Sequence, residues 1–107
     1  MKKKTVNAEE FAKAWKDEMG VYLDDEYLAL KGSMLGLNNS DIQRLKPLVK
    51  EVLGDAFYTL LLGLDGSASI GGIQGAYEIK NESGELISDG AGDLEAIAWK
   101  LFRNERG

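Results

Sequence analysis

The sequence predicts an α+β domain: N-terminal helices, a small antiparallel sheet of about three strands, and a C-terminal amphipathic helix packed on that sheet. Three observations carry the expectation. Helix-capping signals followed by apolar stripes at helical spacing fill the first half, while period-two alternation around a turn signal occupies residues 73–88. After Asp93, the residues Leu94, Ile97, Ala98, Leu101 and Phe102 fall at i, i+3, i+4, i+7 and i+8, the cleanest amphipathic pattern in the chain. At 107 residues the chain is one domain, 1–107, with residues 1–5 expected as a frayed tail.

The first helix opens at Asn7-Ala8-Glu9-Glu10, a capping-box pattern, with Val6 and Phe11 placed as a hydrophobic staple. Phe11, Ala14, Trp15 and Met19 form its apolar stripe, so Trp15 is expected in the core, and Gly20 is a natural stop. A second helix follows Asp24-Asp25-Glu26, whose negative charge suits a helix N-terminus, with Tyr27, Leu30 and Met34 at roughly helical spacing. Ser40-Asp41-Ile42-Gln43 reads as a further capping box. The helix it opens meets Pro47, which either kinks it or starts a new helix at its own first position.

Phe57 to Leu64 is nearly all apolar and short between its flanks, so it is expected as a central strand covered on both faces. Asp65-Gly66-Ser67 reads as a turn, Ile73 to Asn81 as a half-buried strand, Asn81 to Gly84 as a hairpin turn, and Glu85 to Ser88 as the returning strand. Asp93 is expected to cap the last helix.

Composition narrows the chemistry. Hydrophobic residues make up 44% and charged residues 29%, as in an ordinary folded domain. The net charge of -5 and pI near 4.7 lack the basic footprint of a nucleic-acid binder. Histidine and cysteine are absent, which removes the commonest general base, the thiolate nucleophile, disulfides and nitrogen- or sulfur-ligated zinc. No cofactor or metal is therefore expected, and no enzyme activity. Met1 to Lys4 is basic but no apolar stretch follows it as in a secretory signal, and no window is apolar enough for a membrane span. A cytoplasmic location is the expectation.

Three features remain as candidate sites. The segment from Gly63 to Gly75 holds five glycines, at 63, 66, 71, 72 and 75, and offers a ligand loop through Asp65, Gly66, Ser67, Ser69, Gly71, Gly72 and Gln74. Neither the lysine of a phosphate-binding loop nor a dinucleotide glycine spacing accompanies it, so the glycines read first as a wide hairpin connection and only second as a binding loop. Six acids, Glu78, Glu82, Glu85, Asp89, Asp93 and Glu95, surround Lys80 alone, forming either a solvated face or a docking field for a basic partner. Trp99 lies about 140° from Leu94 on the last helix, off its stripe, where it either covers a sheet edge or the segment near Leu35, or anchors an interface.

These features point to a small acidic binding or inhibitory protein that meets a protein partner through Trp99, Glu82, Glu85, Asp89, Asp93 and Glu95. Acidic, cysteine-free immunity proteins that neutralise bacterial toxins share this physical profile as a class analogy. A small-ligand or nucleotide-binding role for the glycine-rich loop is the alternative, and a homo-oligomer that buries Trp99 is a third.

Overall fold

The computed structural model describes residues 7–90 and 92–103, so the expected tail at 1–5 and the staple residue Val6 lie outside the described residues. Four helices and one two-stranded antiparallel sheet follow in the order α1 (Ala8–Tyr22), α2 (Asp25–Met34), α3 (Asn39–Leu64), β1 (Ile79–Lys80), β2 (Leu86–Ser88) and α4 (Asp93–Phe102). The α+β expectation holds in this helix-rich form.

α1 starts at the predicted capping box, with the Asn7 side chain accepting from the Glu10 amide and the Glu10 carboxylate accepting from the Asn7 amide. α2 is capped by Asp24, whose side chain accepts from the amide of Tyr27 at 3.1 Å. The third helix is capped two residues earlier than Ser40: the Asn38 side chain accepts from the Asp41 amide, and the Asp41 carboxylate accepts from the Asn38 amide. Asn38 outcompetes Ser40 because its carboxamide reaches the donors three residues on, while Ser40 is already helical.

The principal correction concerns residues 57–64, which are helix rather than a central strand. α3 runs unbroken for 26 residues, through Pro47, which neither ends it nor starts another helix. Between Phe57 and Leu64 only Thr59 is β-branched, and leucine is a strong helix former, so local preference agrees with the helix. Gly54 and Asp55 are both helical, and Gly54 is buried, a β-carbon there standing at ordinary contact distance, 3.9 Å, from the Arg103 guanidinium.

The sheet is correspondingly small, two strands where about three are expected. Ile79 pairs with Ser88 and Lys80 with Leu86, with a bulge between them, so the alternating stretch 73–78 contributes no strand. The hairpin turn stands where the sequence puts it: the Asn81 side chain accepts from the amides of Ser83 and Glu85, and Gly84 takes a positive φ of 83°.

The core lies between α1, the C-terminal half of α3 and α4. Ala12, Met19, Leu61, Leu94, Ala98 and Phe102 are its buried members. Complete burial of Leu61 and Leu94 stabilises the fold by about 2 kcal/mol each through apolar area removed from water. Edge-to-face aromatic contacts cross it, Trp15 to Phe57 at 5.9 Å and Phe57 to Phe102 at 6.3 Å between ring centres. Trp15 is thus core-packed, as its stripe predicts. α4 packs chiefly on α1 and α3 rather than on the sheet, because its apolar face meets the helical stretch that sequence reading took for a strand.

Nor does Asp93 cap α4. The N-cap is Gly92, with φ of 98° and no side chain to offer. Its work is done by Asp65, the residue that ends α3: the fully buried carboxyl group accepts from the amide of Gly92 at 3.1 Å, from the amide of Glu95 at 3.0 Å and from the Ser88 hydroxyl at 3.1 Å. A helix N-terminus with unsatisfied amides is a natural seat for such an acceptor.

Candidate functional site

Trp99 projects from the outer face of α4, because Leu94, Ala98 and Phe102 turn inward and fix the helix rotation. Its residue surface is 54% exposed, and its ring rests on Tyr58 of α3, 6.3 Å between centres at 60°. The support is Tyr58, not the sheet edge or the Leu35 segment that the sequence offered. One turn further on, the Arg103 guanidinium lies 5.5 Å from the centre of the same Tyr58 ring and forms an ion pair with Asp55. Trp99 is therefore seated on a braced aromatic shelf while much of its indole faces solvent.

Glu95 lies one turn before Trp99 on the same face of α4, with its side chain exposed. The remaining acids are distributed. Asp93, also exposed, sits on the first turn but about 240° round from Trp99 at helical spacing. Glu82 lies within the hairpin turn and Glu85 directly follows it, and Asn81 Nδ2 donates to Glu85 Oε1 at 3.4 Å. Asp89 is exposed in the connection between β2 and α4. The structure thus joins Glu95 with Trp99 and places the other four acids around the hairpin and the entry to α4.

The glycine-rich segment folds on itself. Gly71 and Gly72 take φ of 59° and 82°, the paired positive angles of a two-residue hairpin turn, and Ile70 and Ile73 exchange backbone hydrogen bonds across it at 2.9 and 3.0 Å. Ile70 then reaches back over Gly63, where a β-carbon would collide with it. The Gln74 side chain donates to the carbonyl of Gly66 at 2.6 Å, the Ser67 amide donates to Leu62, and Asp65 is occupied in capping α4. Ser67 and Ser69 are exposed.

Two features escaped the sequence reading. One is the Asp65 cap, formed across 30 residues and carrying no local pattern. The other is an apolar groove of about 220 Å³ between α2 and the N-terminal half of α3, lined among others by Leu28, Gly32, Leu35, Ile42, Leu45 and Val49, with Lys31 and Lys46 at its rim. A usable signal exists: Leu28 and Leu35 fall on one side of the stretch and Leu30 and Met34 on the opposite side, the pattern of a helix covered on more than one face.

Ionisation is displaced at two places away from Trp99. The Lys46 ammonium, hydrogen-bonded to Asp25 at 2.8 Å, holds that carboxyl below its ordinary value, helped by the Gln43 side chain. The Glu18 carboxylate, accepting from the Tyr22 hydroxyl at 3.2 Å, holds the phenol above its ordinary value. Among the described residues no group of acids gathers to hold a metal ion, and no helix is long and apolar enough to cross a membrane. Compared with models of protein families, with curated proteins and with solved structures, the chain matches none of them.

Proposed function

We propose that this chain is a small acidic, cytoplasmic binding or inhibitory protein that occupies the surface of a basic protein partner, without catalysis. The observation that carries the reading is the half-exposed Trp99, resting on Tyr58, which Arg103 in turn braces, with the exposed Glu95 one turn away. A tryptophan already held in place loses little conformational freedom on docking, and aromatic anchors of this kind dominate interface energies. Glu82, Glu85, Asp89 and Asp93 extend a field of the same sign toward the hairpin, which speeds encounter with a basic partner and selects it. Inhibition by surface occupation, as immunity proteins practise it, is the class of work this profile suits. A ligand role for the loop from Asp65 to Gly75 has weaker support, since Asp65 and Gln74 are engaged within the chain.

The test is capture from the native host's lysate by wild type and by a Trp99→Ala/Glu95→Lys variant whose fold is verified by circular dichroism. A basic protein retained by wild type, released by added salt and held at least tenfold less by the variant is the expected result. Equal retention by both forms, or no specific partner, overturns the reading.

A further inference from the structure

We infer that the α2–α3 arm, residues 24–52, is the contact surface for a second copy of this chain, two arms packing as an antiparallel four-helix bundle. The inference is independent of the Trp99 surface. The buried core and the apolar residues packed on it draw on α1 with Leu23 after it, α3 from Leu53 onward, Ile79 of β1 and α4, and include nothing from residues 24–52. The arm is therefore a helical hairpin without a core of its own, in which only Gly32 and Ile42 are buried.

Its apolar side chains face solvent instead. Leu30, Met34, Leu35, Leu45, Leu48 and Val52 are all exposed, Met34 and Leu35 at 72% and 78%. On α3, Leu45, Leu48 and Val52 stand at i, i+3 and i+7, a stripe that reaches the groove through Leu45, and Leu35 lines the groove from the end of α2; Leu30 and Met34 stand about 160° round α2 from Gly32, which meets Ile42, and so point away from α3. Together Leu35, Leu45, Leu48 and Val52 expose roughly 400–450 Å² on the groove side, about half of the ~800 Å² per partner of a stable interface, and the groove lining at Leu28 and Val49 adds to it.

A second copy fits this surface for two reasons. Two helices that bury one face against each other need two more to bury the rest, and an identical hairpin supplies them by two-fold symmetry. The arm is also nearly neutral, with five acidic residues (Asp24, Asp25, Glu26, Asp41, Glu51) and four basic (Lys31, Arg44, Lys46, Lys50), in a chain of net charge -5. Two copies therefore meet without the repulsion that their acidic second halves would impose, whereas a strongly charged partner would find no field to match.

The experiment is sedimentation of the full chain from micromolar to millimolar concentration, with Leu48→Glu/Val52→Lys and Trp99→Ala variants run alongside. The expected result is a reversible dimer for wild type and Trp99→Ala, and at least a hundredfold weaker dimer for the arm variant. A wild type that stays monomeric throughout overturns the inference, as does a dimer lost with Trp99→Ala, which would place the contact on α4. Because the arm variant could misfold, isotope-filtered NMR on a mixture of labelled and unlabelled wild type is the second measurement. Intermolecular contacts from the methyl groups of Leu35, Leu45, Leu48 and Val52 support the arm interface; contacts confined elsewhere refute it. Partner capture through Trp99 is read by a different variant, so either idea can fail alone.

Discussion

Gly32 on α2 and Ile42 on α3 meet so closely that a β-carbon on the glycine would collide with Cδ1 of the isoleucine and stand 3.0 Å from its Cγ1. Ile42 is buried and β-branched, so it has little freedom to turn away. Gly32→Ala is expected to destabilise the arm by about 1–2 kcal/mol, the overpacking cost outweighing the ~1 kcal/mol gained in helix preference. Gly20→Ala on α1, where nothing lies within 4 Å, should instead stabilise the chain by about 0.5–1 kcal/mol. Chemical denaturation of both variants checks the pair; shifts of the same sign would remove the close approach from the account.

Asp65 carries three acceptor roles in a buried setting, to Ser88, Gly92 and Glu95. Asp65→Ala should cost about 2–4 kcal/mol, since it strands buried donors at a helix start. Asp65→Asn, which keeps one carbonyl oxygen, should cost less. Hydrogen exchange at Gly92 and Glu95 should accelerate in both, and unchanged exchange there would show that the cap lies elsewhere.

Asp25 is held below the ordinary carboxyl value of 3.8 by its hydrogen bond to Lys46, then by Gln43 and by the ammonium charge. Because the folded carboxyl binds its proton less readily than the unfolded one, its stabilising contribution is complete above pH 3.8. It is lost as pH falls through the lower folded value. The pair is exposed, so the gain is small. An NMR titration should place the Asp25 midpoint below 3.8 in wild type and return it to the ordinary range in Lys46→Met; a wild-type midpoint at or above 3.8 would falsify the link.

Leu61→Ala should cost about 3–4 kcal/mol, as the side chain is wholly buried where α3 meets α1 and α4. Trp99→Ala removes a larger side chain but one half in water, so about 1–2 kcal/mol is expected. Thermal unfolding compares them. Equal costs would make Trp99 a structural keystone and weaken its reading as an anchor for a partner.

The helices at both ends were legible because their signals are local: Asn7 with Glu10, and the stripe from Leu94 to Phe102. The hairpin turn at Asn81 to Gly84 was legible for the same reason. Phe57 to Leu64 was not, because a short apolar run has no period of its own and only its continuity with the preceding helix decides it. The cap of α4 was hidden because Asp93 stands where a cap belongs, while Asp65 reaches the site only through the fold. Of the candidate site, Trp99 was found from its angle on α4, but its Tyr58 shelf depends on the helix that was read as a strand.

Asp65 also sets an order of events in time. On its own, α4 begins at a glycine and spans ten residues, too few to persist as a helix in water. Its first turn is completed only when α3 has ended at Asp65 and the chain between has looped back. During synthesis the apolar faces that α1 and α3 turn toward α4 must therefore wait uncovered until α4 emerges, and that helix is a product of assembly rather than its seed.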